Sequence, residues 1–228
     1  MSETIQPGTL YLVATPIGNL EDITYRAVKI LTGVDLIAAE DTRKTKILLD
    51  HYNIQKEMVS YFAFNEAKRT PELIQKLKQG LSIAIVSDAG TPGISDPAYR
   101  LVRAAIDEGI NIISIPGASA FISALIVSGL STDSFVFEGF LPHKKGRKTK
   151  LEQLAKETRT IILYESPHRL LRTLSELLTF MGDRRIVVAR EITKKFEEIY
   201  RGKISNALNN FSQKSIKGEF VLIIGTQK

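Results

Sequence analysis

Residues 81–97 read LSIAIVSDAGTPGISDP and contain the pattern that decides the fold. The run 82–86 is short, apolar and β-branched, which is typical of a buried strand. It ends at Asp88, after which two glycines and two prolines precede a helical pattern. A buried strand followed by a small-residue loop with a carboxylate is where open α/β sheets bind ligands. The stretch therefore predicts a ligand loop, and the alternative is an ordinary turn with Pro97 at the first helical position.

The first half of the chain alternates strand patterns with helical patterns. The predicted strands cover residues 9–14, 35–39, 58–61, 82–86 and 110–115. Between them, apolar residues at helical spacing and stop signals at Gly80 and Gly109 predict helices over 71–78 and 97–108. This alternation predicts a mostly parallel sheet covered on both faces. Because right-handed crossovers bring the carboxyl ends of parallel strands to one edge, we expect the loops after the strands to converge.

The second half has strand patterns that lie closer together, and some lack a crossover helix. The predicted strands cover residues 134–140, 160–164, 185–189, 197–201 and 219–224, with helices over 120–127 and 170–180. We expect a mixed sheet here, and a basic loop over residues 144–150, which read KKGRKTK. The predicted fold class is α/β with two domains, 1–116 and 117–228, divided near Gly117.

Composition places the chain among ordinary globular proteins. It has 228 residues, of which 43% are hydrophobic and 25% charged, enough for one large domain or two of ordinary size. The absence of cysteine excludes disulfides and thiolate metal sites and fits a reducing cytosol. The sequence predicts neither a signal peptide nor a membrane span. A net charge of +6 weakly favours an anionic partner such as nucleic acid.

Several common catalytic motifs are missing from the sequence. No glycine loop ends in Lys-Ser or Lys-Thr, and the first turn, TPIGNL at residues 15–20, lacks the glycine spacing of dinucleotide-binding folds. There is no His-Glu-x-x-His motif and no cysteine cluster, so no metal site is predicted. Three histidines without a Gly-x-Ser-x-Gly motif give poor support for a hydrolase triad.

Seven short sequences follow one another along the chain in a distinctive order. They are LYLVATPIGNLEDIT, EDTRKT, SDAGTPGISDP, PGASA, YESPHR, VAREITK and the terminal KGEFVLIIG. Together, over residues 8–225, they resemble the ribosomal RNA small-subunit methyltransferase I family of the tetrapyrrole-methylase superfamily. The resemblance implies a class III methyltransferase with a parallel-sheet N-terminal domain, a mixed-sheet C-terminal domain and a cleft between them for S-adenosylmethionine. It also implies a cytoplasmic homodimer that 2′-O-methylates the ribose of a cytidine in 16S rRNA near the decoding centre.

The resemblance assigns cofactor contacts to the ends of several strands. Small residues there let the backbone approach a ligand closely. Asp88 can accept a hydrogen bond from the ribose hydroxyls or the amine of the cofactor, although it can also serve as a capping or turn aspartate. Core packing is the alternative for Ala189 and Gly218. The predicted cofactor-binding residues are Thr15, Pro16, Asp88, Ala89, Gly90, Thr91, Ser119, Ala120, Tyr164, Ala189 and Gly218.

Two loops offer groups for catalysis. A ribose hydroxyl is a weak acid, so a general base aids its methylation. YESPHR at residues 164–169 brings a carboxylate, an imidazole and a guanidinium into one loop, although His168 can also be a structural histidine. EDTRKT at residues 40–45 offers carboxylates and a guanidinium, and its alternative is a capped helix start with a local ion pair. The predicted catalytic residues are Glu165, His168, Arg169, Glu40, Asp41 and Arg43, with Glu66 as a further candidate base.

The basic stretch 144–150 has the charge density expected of a phosphate-contacting surface. A solvated charged loop is the alternative. The predicted RNA-binding residues are Lys144, Lys145, Arg147 and Lys148. Family members often carry a further C-terminal extension thought to aid RNA binding, whereas the sequence ends at Lys228. Either the basic stretch and the dimer surface suffice, or substrate is held only weakly outside the ribosomal subunit.

Two other functions stay open beside methylation of 16S rRNA or the small ribosomal subunit. One is a small-molecule, tetrapyrrole-type methylase on the same fold. The other is a non-catalytic RNA-binding or assembly protein. The basic stretch and the YESPHR loop favour RNA over a macrocycle.

Overall fold

The computed structural model describes residues 5–226 and contains two five-stranded sheets. The first sheet has the order β3-β2-β4-β1-β5, and its neighbouring strands are all parallel. Its strands are β1 (Thr9–Val13), β2 (Leu36–Ala39), β3 (Met58–Ser60), β4 (Ile83–Val86) and β5 (Asn111–Ile115). The predicted parallel sheet is confirmed, and all five predicted strands are present with nearly the predicted bounds.

Helices cover both faces of the first sheet. They are α1 (Tyr25–Gly33), α2 (Thr42–His51), α3 (Glu66–Lys78) and α4 (Tyr99–Asp107). Successive strand residues point to opposite faces. In β4, Ile83 belongs to the core that contains Leu101 of α4, whereas Ala84 belongs to the core that contains Ile30 of α1. Because β4 is buried on both faces, its sequence is an unbroken apolar run rather than an alternating one.

The second sheet is mixed, as the sequence predicts. Its order is β6-β7-β10-β8-β9, in which only β6 and β7 are a parallel pair. Its strands are β6 (Phe135–Phe140), β7 (Thr160–Glu165), β8 (Arg185–Arg190), β9 (Glu198–Lys203) and β10 (Phe220–Ile224).

Four helices pack around this second sheet. They are α5 (Ala120–Ile126), α6 (Arg147–Ala155), α7 (Leu170–Met181) and α8 (Ile204–Ser212). Leu163 of β7 lies in one core with Leu174 of α7, and its neighbour Ile162 lies in the opposite core with Leu125 of α5. This sheet is therefore also covered on both faces.

Three helices differ from the sequence prediction. Residues 147–155 form α6, so the basic stretch is a loop only as far as Gly146. This helix was missed because it is polar almost all round, and its buried stripe of Arg147, Leu151 and Leu154 begins with an arginine. Helix α8 was not predicted. Helix α3 begins at Glu66 rather than at Pro71, which lies inside it.

The chain divides into two compact units between Ser119 and Ala120, close to the predicted position at Gly117. Over residues 5–226, none of the helices has the length and apolar character needed to span a membrane.

Candidate active site

The loops that follow β1 and β4 are joined by hydrogen bonds at the carboxyl edge of the first sheet. Thr15 and Gly90 exchange backbone hydrogen bonds of 2.9 and 3.1 Å. The Thr15 hydroxyl also donates to the Ser87 carbonyl oxygen at 3.2 Å. Gly90 has φ +84°, a conformation that favours glycine, and a Cβ there would also crowd Ile17 Cγ2 at 3.3 Å. Pro16, between these contacts, is buried.

The loop after β5 joins the same edge. The Thr91 hydroxyl donates to the Ala118 carbonyl oxygen at 3.3 Å. Gly117 packs so closely on Ala14 that an added Cβ would lie 2.9 Å from the alanine Cβ. Ser119 follows and is partly buried, and Ala120 begins α5. The predicted convergence of loops at this edge is therefore confirmed for those after β1, β4 and β5.

Asp88 is the most unusual acid at this edge. Its Oδ2 pairs with Lys44 Nζ at 2.6 Å, and its backbone N–H donates to Glu40 Oε2 at 3.1 Å. The hydrogen bond to Asp88 raises the pKa of Lys44. The other carboxylate oxygen, Oδ1, is buried and accepts no hydrogen bond from the described part of the chain. Neighbouring Ala89 is exposed. A buried acceptor without a donor is rare and marks a place where a ligand can donate.

Asp41 and Arg43 form the capped helix start that was the alternative for this loop. Asp41 Oδ1 accepts from the Arg43 backbone N–H at 2.9 Å and so caps α2. Its Oδ2 accepts from Arg43 Nη2 at 2.7 Å. These hydrogen bonds from Arg43 hold the pKa of Asp41 far below its usual range. Asp41 and Arg43 thus form their hydrogen bonds with each other. This arrangement favours a structural role over a catalytic one for both residues.

Asp96 is a second notable acid in the loop after β4. Burial raises its pKa to about 6, against hydrogen bonds from the Gly93 N–H and the Ser87 side chain. The negative charges of Glu40 and Asp88 also raise the pKa. Two further carboxylates at this edge therefore act on Asp96. Within residues 5–226, however, no group of acids and histidines has the arrangement of a metal site.

Glu165, at the end of β7 in the second unit, is buried and fully hydrogen-bonded. Its Oε1 accepts from the Ser166 N–H and from Arg169 Nε, both at 2.8 Å. Its Oε2 accepts from the Thr173 hydroxyl at 2.6 Å. Arg169 also donates to the Leu141 carbonyl oxygen at 3.0 Å. Glu165 and Arg169 are therefore brought together, in a network that ties β7, α7 and the loop after β6.

Arg147 extends this network and does not lie at the surface. Its side chain is only 3% exposed. Its nitrogens donate to Glu176 Oε2 at 2.7 Å, to the Thr173 hydroxyl at 2.7 Å and to the Pro142 carbonyl oxygen at 3.0 Å. Burial opposes ionisation of Glu176, but the hydrogen bonds from Arg147 and Arg172 outweigh it and lower the Glu176 pKa. The structure thus separates Arg147 from the lysines of the basic stretch.

Lys144, Lys145 and Lys148 do lie at the surface. Lys144 and Lys145 form no ion pair with any of residues 5–226, whereas Lys148 approaches Glu152 at 3.8 Å. His168 is exposed and has no hydrogen-bond partner in that same range.

Three predicted cofactor contacts lie among the strands of the second sheet and their connections. Tyr164 packs its ring against Phe137 and Phe140 at centroid distances of 5.0 and 5.6 Å. Ala189 is fully buried in the core. Gly218 has φ +91°, and a Cβ there would lie 2.4 Å from Glu191 Cγ. Close packing therefore explains why small residues occur at positions 189 and 218. The contacts of Ala189 and Gly218 with a cofactor stay predictions.

Comparison with known proteins decides the family. A model of the tetrapyrrole (corrin/porphyrin) methylases matches residues 9–208. The chain is 57% identical over 219 residues to ribosomal RNA small subunit methyltransferase I of Synechocystis sp., covering 95% of this chain and 78% of that relative. It is 50% identical over 217 residues to the protein of that name from Thermotoga maritima, covering 95% and 98%. This chain belongs to the ribosomal RNA small subunit methyltransferase I family.

Solved structures confirm the predicted fold of this methyltransferase. The methyltransferase CobJ has a TM-score of 0.71 at 18% identity, covering 96% of this chain and 93% of that chain. Uroporphyrin-III C-methyl transferase from Thermus thermophilus, complexed with S-adenyl homocysteine, has a TM-score of 0.68 at 16% identity, covering 95% and 97%. At these identities the likeness concerns the fold alone.

Sequence reasoning missed several residues of this methyltransferase that contact predicted site residues within each unit. Lys44 pairs with Asp88 across the ends of two strands, and Thr173 links Arg147 to Glu165 from a helix interior. Both depend on tertiary contacts that no local pattern reveals. Asp96 was visible as an acid in the SDAGTPGISDP loop, but its burial was not.

Proposed function

We propose that this chain transfers a methyl group from S-adenosylmethionine to the ribose 2′-hydroxyl of a cytidine in 16S rRNA near the decoding centre. The observation that carries the proposal is the 50–57% identity, over 95% of the chain, to relatives named ribosomal RNA small subunit methyltransferase I. Small ribosomal subunits are assembled in the cytoplasm, so we expect the enzyme there. We also expect it to act as a homodimer, as the resemblance implies.

The acceptor that Asp88 presents supports a cofactor contact in the first unit. Its buried Oδ1 accepts no hydrogen bond from residues 5–226, which is energetically unfavourable. A hydroxyl or ammonium group of a bound cofactor would donate the missing hydrogen bond. Ala89 is exposed, and its small side chain leaves the adjacent backbone open to close approach. When bound, S-adenosylmethionine supplies an electrophilic methyl group on a sulfonium centre. Asp88, Ala89, Gly90 and Thr91 are the residues we expect to hold it.

His168 is the residue we assign to proton acceptance from the ribose hydroxyl. Glu165 and Asp41 already accept hydrogen bonds from charged arginines, so these carboxylate oxygens are engaged within the protein. His168 is exposed and has no partner among residues 5–226, so its imidazole is available to a substrate. Lys144 and Lys145 are assigned to RNA phosphates for the same reason.

Transfer of labelled methyl from S-adenosylmethionine to small ribosomal subunits that lack the modification tests the function. We expect one methyl per subunit, at a single cytidine whose 2′-O-methylation protects the following phosphodiester bond from alkaline cleavage. Label appearing only on a tetrapyrrole, or no label despite RNA binding, would overturn the proposal in favour of the other two functions.

The variant His168→Ala tests the assignment of the base. We expect turnover to fall about 100-fold, which lies within the range for general-base catalysis, while cofactor affinity stays unchanged. Isothermal titration measures the affinity, and single-turnover methyl transfer measures the rate. Loss of cofactor binding as the sole defect would contradict the assignment.

A further inference from the structure

Phe140, the last residue of β6, presents an aromatic ring to solvent. Its side chain is 53% exposed in a chain whose other sheet residues are mostly buried. The guanidinium carbon of Arg169 lies 5.9 Å from the ring centroid, and the Tyr164 ring lies at 5.6 Å with an interplanar angle of 59°. Both neighbours sit at the carboxyl end of the parallel β6–β7 pair. The ring is therefore supported from the protein side and open on the other.

The support beneath Phe140 is held rigidly. Arg169 donates to Glu165, whose side chain is completely buried, and to the Leu141 carbonyl oxygen next to Phe140. Glu165 is in turn held by Thr173 of α7 at 2.6 Å. Hydrogen bonds from two different nitrogens of Arg169 fix the orientation of its guanidinium, so little conformational entropy remains to be lost when a ligand packs on the ring.

Unpaired positive charges follow Phe140 within a few residues. Lys144 and Lys145 are exposed and form no ion pair within residues 5–226. Their loop is anchored at both ends by Arg147, which donates its side chain to the Pro142 carbonyl oxygen and its backbone N–H to the Lys144 carbonyl oxygen. An exposed aromatic ring and free lysines are thus carried on one short, fixed segment.

We infer that Phe140 is a stacking platform for an unpaired base of the RNA substrate, with Lys144 and Lys145 on the neighbouring phosphates. The inference rests on the proposed function. Proteins that hold single-stranded nucleic acid combine a positive surface with aromatic rings on which bases stack. The positive charge beside the ring favours RNA as its occupant over a second copy of the chain, whose net charge is +6.

Two labelled probes of equal length separate stacking from charge. One is single-stranded oligocytidylate, and the other is the same ribose-phosphate chain without bases. We expect wild-type protein to bind the first more tightly by fluorescence anisotropy. Phe140→Ala should weaken oligocytidylate binding about 5- to 150-fold and leave the abasic probe unaffected. Phe140→Tyr should restore the preference.

Control variants make the result specific to this ring. Phe196 is 64% exposed and lies 5.8 Å from Lys195 Nζ, so Phe196→Ala removes a similar ring elsewhere in the second unit. It should leave both affinities unchanged. The double variant Lys144→Ala/Lys145→Ala should bind both probes more weakly and still prefer oligocytidylate to the abasic chain. Sedimentation velocity on each variant reports its oligomeric state.

Several outcomes would overturn the platform. The wild-type protein could bind both probes equally well. The Phe140→Ala variant could bind oligocytidylate as tightly as wild type, or it could differ from wild type only in its oligomeric state. Methyl transfer by wild type to small subunits is measured in parallel. If that transfer occurs while Phe140→Ala leaves the KM for subunits unchanged, the platform fails and the proposed function stands. If it does not occur, the proposed function fails.

Discussion

Thr173 is the residue on which the polar network of the second unit depends. Its hydroxyl accepts from Arg147 at 2.7 Å and donates to Glu165 at 2.6 Å, and its side chain is fully buried. Removing it leaves a buried guanidinium and a buried carboxylate each without one partner. The cost is large because buried charged groups lose far more than neutral ones when a hydrogen bond is not replaced.

We therefore expect Thr173→Val, which keeps the shape of the side chain, to reduce the free energy of unfolding by about 2–3 kcal/mol. Thr173→Ser should recover most of this loss. Thr179 lies in the same helix but is exposed, so Thr179→Val is the matched control and should change stability by less than about 0.5 kcal/mol. Urea denaturation measures all three variants. A Thr173→Val variant as stable as the control would contradict this role.

Asp96 makes stability depend on pH. Its folded pKa of about 6 lies above the ordinary value of 3.8, so the folded protein binds this proton more tightly than the unfolded chain. The resulting contribution to stability is complete below pH 4 and is lost as pH rises through 6. Asp96→Asn removes this dependence. We expect the variant to gain about 1–2 kcal/mol relative to wild type between pH 4 and pH 7.5, allowing for solvent screening. Urea denaturation measures the free energy of unfolding of both proteins at pH 4 and pH 7.5. The same difference between variant and wild type at the two pH values would refute the expectation.

At the scale of secondary structure, the accuracy of sequence reasoning follows the amphipathic signal. Strand β4 and helix α7 have strong apolar patterns and were located almost completely. Helix α6 was missed because its buried stripe begins with Arg147, a residue expected at the surface. The same misreading put Arg147 among the RNA-binding residues. A buried arginine is recognisable only when its partners, which lie 26 and 29 positions along the chain, are known.

The loop before α6 should carry the salt-dependent part of RNA binding. Lys144 and Lys145 are free of ion pairs within the described residues, whereas Lys150 of α6 pairs with Glu138 at 2.6 Å. We expect Lys144→Ala/Lys145→Ala to flatten the slope of log affinity against log salt by about 1.4, for two phosphates of single-stranded RNA. Lys150→Ala should change it by less than half as much. The measurement is anisotropy titration at several salt concentrations, and equal changes in both variants would count against the assignment.

At the scale of the whole molecule, the sequence predicted two α/β halves, one parallel and one mixed, but not the strand orders. The order β3-β2-β4-β1-β5 depends on which strands pair with each other. Because the strands are similar in composition, the sequence does not reveal these pairings. The convergence of loops after β1, β4 and β5 followed from the handedness of crossovers alone. What could not follow was the pairing inside the site, such as that of Lys44 with Asp88.

Asp88 is assigned to the cofactor and the pair Lys144 and Lys145 to RNA, so the effects of changing them should be independent. Asp88 belongs to the first unit and the pair Lys144 and Lys145 to the second, and the two sets share no hydrogen-bond partner among residues 5–226. We expect Asp88→Asn to weaken cofactor binding about 10- to 100-fold, because it weakens a charge-assisted acceptor. It should leave the salt dependence of RNA binding unchanged.

A double-mutant cycle tests this independence, and it is completed by the combined variant, Asp88→Asn with Lys144→Ala/Lys145→Ala. Its loss in methyl transfer at limiting cofactor and subunits should equal the sum of the separate losses within about 0.5 kcal/mol, as for sites without shared partners. Isothermal titration gives the cofactor affinities, and initial rates of methyl transfer give the kinetic losses. A larger coupling would mean that Asp88 and the lysines act on the same ligand, and the assignment of Asp88 to the cofactor and of the lysines to RNA would then be wrong.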